Sequence, residues 1–255
     1  MRIVTFNFLA GGSARRNGHW AAVRERLAPD VVLAQECRPP PGDGSRPDTA
    51  LWRRASRRGW GTGVFLAHGK IRPIAVRGFA GWVVGGEVEQ EGWPSRRRPL
   101  RVFSIHCQAG DHGYMRSLGA IIDRLARIGE GADLVVGGDL NVVVGYRGPD
   151  EPVRMVPGER LLLDRMAREL GLVACWQAKH PGKPLEQTLR WTGDRTMPYH
   201  CDGIFVPRRW VARLESAEVI QGPEWDRLSD HNPVLAVLGG GRFSPFRRYR
   251  LLAEG

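Results

Sequence analysis

The sequence is poor in cysteine and lysine and has no long apolar run. Its four cysteines include no C-x-x-C pair, which excludes zinc-ribbon and thioredoxin-type motifs, and the lack of a dense disulfide framework favours a reducing compartment. No stretch approaches the roughly 20 apolar residues that a membrane span needs. The first residues lack an apolar segment with a small-residue cleavage site. We therefore expect a cytoplasmic protein, monomeric and without stable membrane association.

Lysine accounts for only three of the 38 basic residues, so arginine carries most of the excess positive charge. The formal net charge of +11 indicates a polyanionic partner without saying which one. The planar guanidinium group matches the geometry of phosphate oxygens, so the preference for arginine favours a phosphate-containing partner. The same preference is equally consistent with the base composition of the gene.

Nothing in the sequence divides the chain into two folding units. A length of 255 residues lies at the upper end of one domain. A hydrophobic content of 42% with nine tryptophans excludes a disordered polymer. We find no repeat, low-complexity block or linker, and we predict a single domain over residues 1–238. Residues 239–255 carry four arginines and are predicted to be a basic C-terminal tail outside the core.

Short apolar runs bounded by glycine, proline or aspartate recur along the chain, and such runs are typical of buried strands. They cover residues 2–8, 31–35, 63–67, 100–107, 133–137, 203–206 and 233–238. Apolar residues spaced by three and four predict helices at 19–27, 115–128 and 159–170. The alternation predicts an α/β fold, a mixed sheet covered by helices. It is expected to be antiparallel around residues 60–107, with surface loops at 39–47 and 145–158.

Polar side chains stand at the ends of several predicted strands, where a loop begins. They are Asn7, Glu36, His106, Asp139, Asn141, Asp202, Asp230 and His231. A carboxylate buried at a strand end is costly, so several that converge there need a cation or hydrogen-bond partners. Each residue alone is more often a turn or cap residue. The ordered set along the whole chain favours a catalytic site.

This set resembles the endonuclease/exonuclease/phosphatase superfamily, which includes DNase I, exonuclease III, sphingomyelinases and inositol polyphosphate 5-phosphatases. The matching motifs are Asn7, Gln35-Glu36, Ser104-Ile-His106, Gly137-Gly-Asp139-Leu-Asn141, His200-Cys-Asp202-Gly-Ile and Ser229-Asp230-His231-Asn-Pro233. They run from the first strand to about residue 237. The resemblance implies a four-layer α/β/β/α sandwich, in which two mixed β-sheets pack face to face between outer helices, and it makes residues 1–238 a catalytic domain.

The resemblance also implies a metal ion, Mg²⁺, with Mn²⁺ as a substitute. Hard divalent cations prefer carboxylate and carbonyl oxygens and keep several waters, so one or two acids and the substrate phosphate suffice. Glu36 is the implied main ligand, with Asn7 and Asp230 nearby. Asp230 could instead serve a second metal or help to position the site.

The implied catalytic residues are His106, Asp139, Asn141, Asp202 and His231. Asp139 would orient or deprotonate the attacking water, and the Asn141 amide would bind a phosphate oxygen. His231, paired with Asp202, would stabilise the pentacovalent phosphate or act as general acid. His106 matches a second histidine found in DNase I-like and sphingomyelinase-like members, and we predict Glu87 as its carboxylate partner. The role of His200 is open.

Arginine runs and exposed tryptophans favour nucleic acid as the substrate. If residues 49–58 are helical, Arg53, Arg54, Arg57 and Arg58 form two like-charged i,i+4 pairs that an anionic partner would relieve. A second run, Arg96-Arg97-Arg98, lies in a predicted hairpin loop, and Trp93 and Trp191 are predicted to lie in loops. We predict that Trp191, Arg96 and Arg97 bind substrate.

Three hypotheses follow. The first is a Mg²⁺-dependent phosphodiesterase that cleaves nucleic acid, with DNA favoured over RNA. The second is a phosphatase or phospholipase C-type phosphodiesterase that acts on small-molecule or lipid phosphates. The third is a non-catalytic nucleic-acid-binding module, which is disfavoured because a degenerate relative would have lost some of the site residues.

Overall fold

The structure is a computed structural model that describes residues 1–12, 18–40, 48–89 and 98–239. Trp93, Arg96 and Arg97 lie outside these ranges, as do residues 240–255 of the predicted basic tail. No helix of the described part of the chain is both long enough and apolar enough to cross a membrane.

Within the described residues, twelve strands form two six-stranded sheets, as the resemblance implied. The first sheet has the order β11-β12-β1-β2-β4-β3 and the second β5-β6-β7-β8-β10-β9. In chain order the strands are β1 (Arg2–Asn7), β2 (Val31–Cys37), β3 (Ala50–Arg54), β4 (Gly61–Leu66), β5 (Lys70–Pro73), β6 (Val83–Glu89), β7 (Leu100–His106), β8 (Asp133–Asp139), β9 (Leu172–Ala174), β10 (Asp202–Pro207), β11 (Leu214–Val219) and β12 (Val234–Leu238). Strands β1 and β2 are parallel, as are β7 and β8, whereas the other pairs are antiparallel. Both sheets are therefore mixed.

Five α-helices accompany the sheets in the described ranges: α1 (Gly18–Ala22), α2 (Tyr114–Gly129), α3 (Pro157–Glu169), α4 (Cys175–Lys179) and α5 (Pro223–Leu228). Helix α1 continues into a π-helical segment, Val23–Leu27, and 3₁₀ turns occupy Gly110–His112 and Arg208–Arg213. The three helices predicted from apolar spacing are confirmed within about two residues. In α2 the predicted apolar face, with Leu118, Ile121, Ile122 and Leu125, is buried.

Strand periodicity divides the core into three clusters. Alternate residues such as Leu33, Val102 and Val135 fill the space between the two sheets. Their neighbours face outward, toward α2 and α3 on one side and toward α1 on the other. Each fully buried aliphatic side chain contributes roughly 1.5–3 kcal/mol, so the three clusters together provide the main driving force for this layering. The α/β/β/α sandwich is confirmed.

The helix considered for residues 49–58 is wrong, because this segment forms β3 and the turn that follows it. Strand β3 pairs with β4, and Arg53 and Arg54 point to solvent at its end. Gly61 permits the pairing, since a Cβ atom there would lie 1.9 Å from the carbonyl oxygen of Arg53. The expected antiparallel arrangement around residues 60–107 is confirmed by β5, β6 and β7.

Candidate active site

The alternation of side chains along the strands carries the polar residues onto the inner faces of both sheets. In β1, Ile3 lies in the core between the sheets and Val4 in an outer cluster. Asn7, four residues after Ile3, therefore faces the second sheet. The same period of two places His106 on the inner face of β7 with Val102, and Asp139 on that of β8 with Val135. The candidate site continues the core at one end of the sandwich.

Strand register then brings three of these residues side by side in the second sheet. His106 is paired with Asp139 across β7 and β8, and Asp139 with Asp202 across β8 and β10. Cross-strand neighbours have Cβ atoms about 4.5–5.5 Å apart, so their side chains interact directly. The register alone thus assembles one histidine and two carboxylates.

Glu36 reaches the site through a β-bulge. Leu33 and Gln35 face inward on β2, so strict alternation would turn Glu36 outward. Ala34 and Cys37 instead pair with Gly63 and Gly61 of β4, which leaves one extra residue on β2. Glu36 takes a left-handed conformation with a φ of 46°, and its Oε1 lies 3.6 Å from Nε2 of His106. Positive φ is costly for a residue with a side chain and is retained where surrounding structure enforces it.

Asn7 joins the two sheets at the site. Its Nδ2 donates a hydrogen bond to Asp139 Oδ2 at 3.1 Å, and the same side chain hydrogen-bonds to Glu36. Its Oδ1 accepts a hydrogen bond from the backbone N–H of Leu9 at 3.0 Å. Burial raises the pKa of Glu36, and the hydrogen bond from Asn7 opposes that shift.

Asp139 lies at the centre of the cluster and is buried. Its Oδ1 accepts a hydrogen bond from the backbone N–H of Asn141 at 3.0 Å. Its Oδ2 faces Nε2 of His106 at 3.7 Å and Nε2 of His231 at 3.8 Å. Burial raises the pKa of Asp139, although the nearby His231 lowers it and Asp202 raises it further. A carboxylate with a raised pKa is a better proton acceptor than an exposed one.

Asn141 is held in a left-handed conformation with a φ of 53°. Its Nδ2 donates a hydrogen bond to the carbonyl oxygen of Cys107 at 2.9 Å, so its amide is fixed beside Asp139. Asparagine tolerates this backbone region better than most residues, because its side chain can bond locally.

His231 is paired with Asp202, as the resemblance implied. Its Nδ1 lies 2.9 Å from Asp202 Oδ2, and both side chains are buried. Burial by itself lowers the pKa of His231, but the carboxylates of Asp202, Asp139 and Asp230 raise it to about 10. The imidazole is therefore protonated at neutral pH in this arrangement.

Side-chain hydroxyl groups hold the backbone at both His231 and Asp202. Ser229 Oγ donates to the carbonyl oxygen of Asn7 at 2.7 Å and accepts from the His231 N–H at 3.0 Å. Thr188 Oγ1 accepts from the backbone N–H of Asp202 at 3.1 Å. Both partners of the His231–Asp202 pair are therefore anchored through the backbone.

His106 has a different environment. Burial lowers its pKa, although Asp139 opposes the shift. Its Nδ1 is buried and has no hydrogen-bond partner among the described residues, and its ring lies 5.9 Å from that of Trp60 and 5.5 Å from that of Trp82. Its Nε2 is 2.9 Å from the side-chain nitrogen of Gln108. A neutral imidazole suits this surrounding of indole rings.

The predicted partnership of His106 with Glu87 is wrong. Glu87 lies opposite Arg101 across β6 and β7, and its Oε2 accepts a hydrogen bond from Arg101 Nε at 3.1 Å. Arg101 precedes His106 by five residues, which is about 17 Å along a strand. The acids that face His106 are Glu36 and Asp139.

The donor set near Glu36 fits a hard divalent cation. Carboxylates of Glu36, Asp139 and Asp230 surround the two facing histidines, and Asp230 Oδ1 lies 3.9 Å from His231 Nε2. Raised pKa values at Glu36 and Asp139 arise from burial of their charge, a cost that a bound cation would offset. The donor chemistry thus suits the predicted Mg²⁺.

Asp139, His231 and Cys201 form a second potential ligand group with a sulfur atom. Burial, together with Asp202 and Asp139, raises the pKa of the Cys201 thiol well above its ordinary value. A protonated thiol is a poor ligand for a hard cation, so this group does not account for Mg²⁺.

Arg190 is a positioning residue that the sequence interpretation missed. Its guanidinium group donates to the Asn232 side chain, to the carbonyl oxygen of Ser229 at 2.6 Å and to that of His231 at 3.3 Å. It also pairs with Asp226 at 3.1 Å. Only its place next to Trp191, a predicted substrate-binding residue, could have drawn attention to it.

Trp191 extends from the same segment into solvent. Its side chain is 49% exposed and meets the ring of Tyr199 edge-on at 6.0 Å. The adjoining Leu189 forms an isolated bridge with His231, which places this segment beside the loop that carries His231. His200, by contrast, is a packing residue: its Nδ1 is 2.6 Å from the carbonyl oxygen of Glu186, and burial lowers its pKa to about 4.

The turn between β3 and β4 brings arginines to the rim of the site. It ends at Trp60, whose ring contacts that of His106. Arg57 and Arg58 are exposed in this turn, and neither forms an ion pair with an acid of the described residues. Arg38 supports the turn by donating to the carbonyl oxygens of Arg58 at 2.7 Å and Gly59 at 3.3 Å. We call Arg57, Arg58 and Trp60 the rim turn.

No protein-family profile matches this chain, and no curated protein is significantly similar to it. Solved structures do match over nearly the whole chain. A 3′-5′ exonuclease, NExo, from Neisseria meningitidis superposes with a TM-score of 0.69 at 16% identity, covering 94% of this chain and 100% of its own. AP endonuclease LMAP from Leishmania major gives a TM-score of 0.69 at 16% identity, with coverage of 94% and 87%.

The endonuclease domain of TRAS1, a telomere-specific non-LTR retrotransposon, gives a TM-score of 0.63 at 16% identity, covering 93% of this chain and 97% of its own. Identities this low establish the fold and leave activity to be argued from the site. The order of strands, the two mixed sheets and these superpositions agree. The chain therefore has a DNase I-like fold.

Proposed function

We propose that this protein is a Mg²⁺-dependent phosphodiesterase that cleaves nucleic acid, with DNA favoured over RNA. The observation that carries the proposal is the position of Asp139 between two histidines whose pKa values are shifted in opposite directions. Glu36 and Asn7 complete the group. Perturbed acid–base groups that converge in this way are typical of catalytic sites.

Phosphodiester hydrolysis needs an oriented nucleophile, neutralisation of developing charge and a proton for the leaving oxygen. Asp139 orients the attacking water and accepts its proton, because its carboxylate has a raised pKa and is fixed by Asn7 and Asn141. Protonated His231 stabilises the charge on the phosphate or protonates the leaving oxygen. Neutral His106 contributes a hydrogen-bonding group next to Asp139. The side-chain amide of Asn141 binds a phosphate oxygen.

Glu36 is the proposed principal Mg²⁺ ligand, with Asn7 and Asp230 nearby and Mn²⁺ as a substitute. A bound divalent cation polarises phosphate oxygens and lowers the pKa of a coordinated water. Removal of metal by EDTA is expected to abolish activity, whereas a site that functions without metal would retain it.

The rim turn supports nucleic acid over a small or lipid phosphate. Arginine guanidinium groups bind phosphates along a strand, and an indole ring provides a surface on which a base can stack. Trp60 of this turn contacts His106, so a bound strand would pass the catalytic centre. Exposed Trp191, which belongs to a different chain segment from the rim turn, is a further proposed contact to the nucleic acid. Arg96 and Arg97, which lie outside the described residues, are also proposed contacts. Among the matching structures, NExo is also described as a 3′ phosphatase bound to a product DNA hairpin, with a TM-score of 0.67 at 17% identity, covering 94% of this chain and 100% of its own.

A substrate panel tests the proposal. Purified protein is incubated with plasmid DNA, linear DNA, RNA and phosphoinositides, each with Mg²⁺ or with EDTA. We expect Mg²⁺-dependent cleavage of DNA by the wild type, none by Asp139→Asn, and normal cleavage by Asp150→Asn, a control at an exposed loop acid. Metal-dependent release of phosphate from lipids alone would replace this proposal by the phosphatase or phospholipase hypothesis. Binding of DNA without hydrolysis would favour a non-catalytic module.

Salt dependence tests the rim turn separately from catalysis. Each phosphate neutralised by an arginine adds roughly 0.9 to the slope of log affinity against log salt for duplex DNA. Replacement of Arg57 and Arg58 by alanine should therefore reduce the slope by about 1.8. The matched control replaces Arg124 and Arg127, which are exposed on α2, and should leave the slope unchanged. Equal slopes in all three proteins would exclude phosphate contacts at the rim turn.

The proposal also includes a cytoplasmic monomer, with residues 1–238 as the catalytic domain and the basic tail as an appendage. Size-exclusion chromatography with light scattering tests the monomer. Deletion of residues 240–255 should leave turnover of a short oligonucleotide unchanged. Loss of turnover in this variant would show that the tail is part of the catalytic domain.

A further inference from the structure

Cys201 brings a thiol into the acid–histidine cluster. It immediately precedes Asp202, and its Sγ lies 3.5 Å from Asp202 Oδ2. One ligand atom from each of Asp139, Cys201 and His231 lies within 4.8 Å of the other two, and all three residues are buried. The mechanism proposed above gives this thiol no task.

The three donor atoms are a sulfur, a nitrogen and an oxygen, the types of ligand that zinc binds in proteins. They supply three of the four ligands of a tetrahedral zinc site. With zinc–ligand bonds of roughly 2.0–2.3 Å, neighbouring ligand atoms are roughly 3.3–3.8 Å apart. His231 Nε2 and Asp139 Oδ2 already lie 3.8 Å apart. The remaining pairs would have to close by at most roughly 1.5 Å, a shift within reach of side-chain adjustment.

Asp202 orients the histidine for such a role. It holds His231 Nδ1 at 2.9 Å, which leaves Nε2 directed toward Asp139. A carboxylate behind a metal-binding imidazole fixes the ring and strengthens nitrogen as a donor. The outer partner of a zinc-binding histidine is therefore already present.

We propose that Asp139, Cys201 and His231 form a binding site for Zn²⁺ or a similarly thiophilic divalent cation, and that its occupancy inhibits the enzyme. When the cation binds, the Cys201 thiol and the Nε2–H of protonated His231 each release a proton to solvent, and sulfur selects such cations over Mg²⁺. Occupancy would take the Asp139 carboxylate and the proton on His231 Nε2 away from catalysis. The site needs no assumption about activity, whereas the inhibition rests on the proposed function.

Cobalt spectroscopy tests the site without any assay of activity. Co²⁺ occupies zinc sites, and its bond to a thiolate produces a sulfur-to-metal absorption in the near ultraviolet. Metal-free wild-type protein titrated with Co²⁺ should develop this absorption, and added Zn²⁺ should displace it. Cys201→Ser should lack it, and Cys175→Ser should keep it. Cys175 is a suitable control, because it is also a free buried cysteine but lies away from the site. The residue before it, Ala174, pairs with Phe205, which is three residues along β10 from Asp202.

Zinc inhibition tests the consequence. The Zn²⁺ concentration that halves Mg²⁺-dependent cleavage, measured relative to the zinc-free activity of the same protein, should rise at least about tenfold in Cys201→Ser. Cys201→Ala, whose fold is checked by circular dichroism and thermal unfolding, provides a second variant if serine disturbs the core. Cys175→Ser should respond to Zn²⁺ as the wild type does.

The two experiments fail separately. Absence of the sulfur absorption in wild-type protein, or an equal absorption in Cys201→Ser, would overturn the site whatever the activity. A sulfur absorption in a protein that cleaves no substrate would keep the site and refute the proposed function. Undiminished cleavage at Zn²⁺ concentrations that saturate the absorption would overturn the inhibition.

Discussion

The two sides of the candidate site hold histidines that meet the same oxygen atom in opposite protonation states. His106 Nε2 and His231 Nε2 lie 3.7 and 3.8 Å from Asp139 Oδ2, and both rings are buried. The pKa of His106 is lowered by burial, whereas that of His231 is raised to about 10. The difference lies at the other ring nitrogen. Nδ1 of His231 meets a carboxylate, whereas Nδ1 of His106 has no hydrogen-bond partner in the described part of the chain.

The distance to a shared acid therefore does not decide the charge of a buried histidine. Burial penalises the charged form in both rings. A second carboxylate in direct contact overcomes that penalty, and two indole rings do not. The site thus obtains a charged donor and a neutral imidazole from the same residue type, a division of labour that catalytic sites use elsewhere.

The largest effect is expected from replacement of the charged member. His231→Gln should lower turnover at least about 10²-fold, the usual scale for general acid–base or electrostatic groups. Steady-state kinetics on a short DNA duplex measure it. Turnover within a factor of about three of the wild-type value would show that His231 takes no part in the reaction. The difference between the two histidines would then have no catalytic meaning.

Replacement of Asp202 should make the environment of His231 resemble that of His106. In Asp202→Asn the pKa of His231 loses its largest upward influence and should fall, which lowers turnover roughly 10–100-fold at neutral pH. Wild-type activity should decline at alkaline pH only as His231 deprotonates near pH 10, and the variant should decline from a lower pH. An unchanged alkaline limb of the pH–rate profile would show that another group titrates there.

The same pair should also leave a signature in stability. The pKa of His231 rises from an ordinary 6.5 to about 10 in the folded state, so its contribution is complete below pH 6.5 and is lost as pH rises toward 10. Denaturant unfolding at pH 6 and pH 10 measures the loss, which should be smaller in His231→Gln. An identical loss in both proteins would contradict the assigned charge.

Replacement of the neutral member should cost less. His106→Gln keeps a hydrogen-bonding group beside Asp139 and removes no charge, so turnover should fall by about tenfold. The alkaline limb of the pH–rate profile should stay where it is in the wild type. A fall as large as that of His231→Gln would mean that the two histidines act equally.

The smallest effect on turnover is expected at Arg190, which acts through the loop of His231. Lysine cannot reproduce its several directed hydrogen bonds, so Arg190→Lys should lower kcat by less than about tenfold and leave KM unchanged. Arg190→Met should cause a larger loss together with a lower unfolding midpoint. A change in KM alone would indicate that Arg190 contacts substrate.

Much of the fold and the membership of the site followed from local pattern. Apolar spacing predicted α2 and α3 because a helix must bury one face, and apolar runs predicted the central strands. Residues such as Asp139 stood out because acids rarely follow a buried strand without a partner. The partner of His106 could not be predicted in this way, because it depends on strand register. The register of β6 and β7 places Glu87 opposite Arg101, far from His106 along the strands.

Arg190 and the rim turn show the same limit. Nothing in the composition of the segment around Arg190 indicates that its guanidinium reaches three residues of a loop some 40 positions later in the chain. The arginines near residue 54 fitted a helix as well as a strand end. The glycines of β4, which allow close approach of β3, decided the outcome.

Periodicity and the cost of burying charge indicate, from the sequence, which residues form the core, where the strands end and which side chains are candidates for the chemistry. How those side chains are arranged and charged depends on the tertiary structure. The bulge that turns Glu36 inward, the Asp202 contact that charges His231 and the thiol of Cys201 beside them all depend on distances between strands that are remote in the chain. Electrostatic interactions in a buried site change over a few ångströms, and local sequence does not specify such distances.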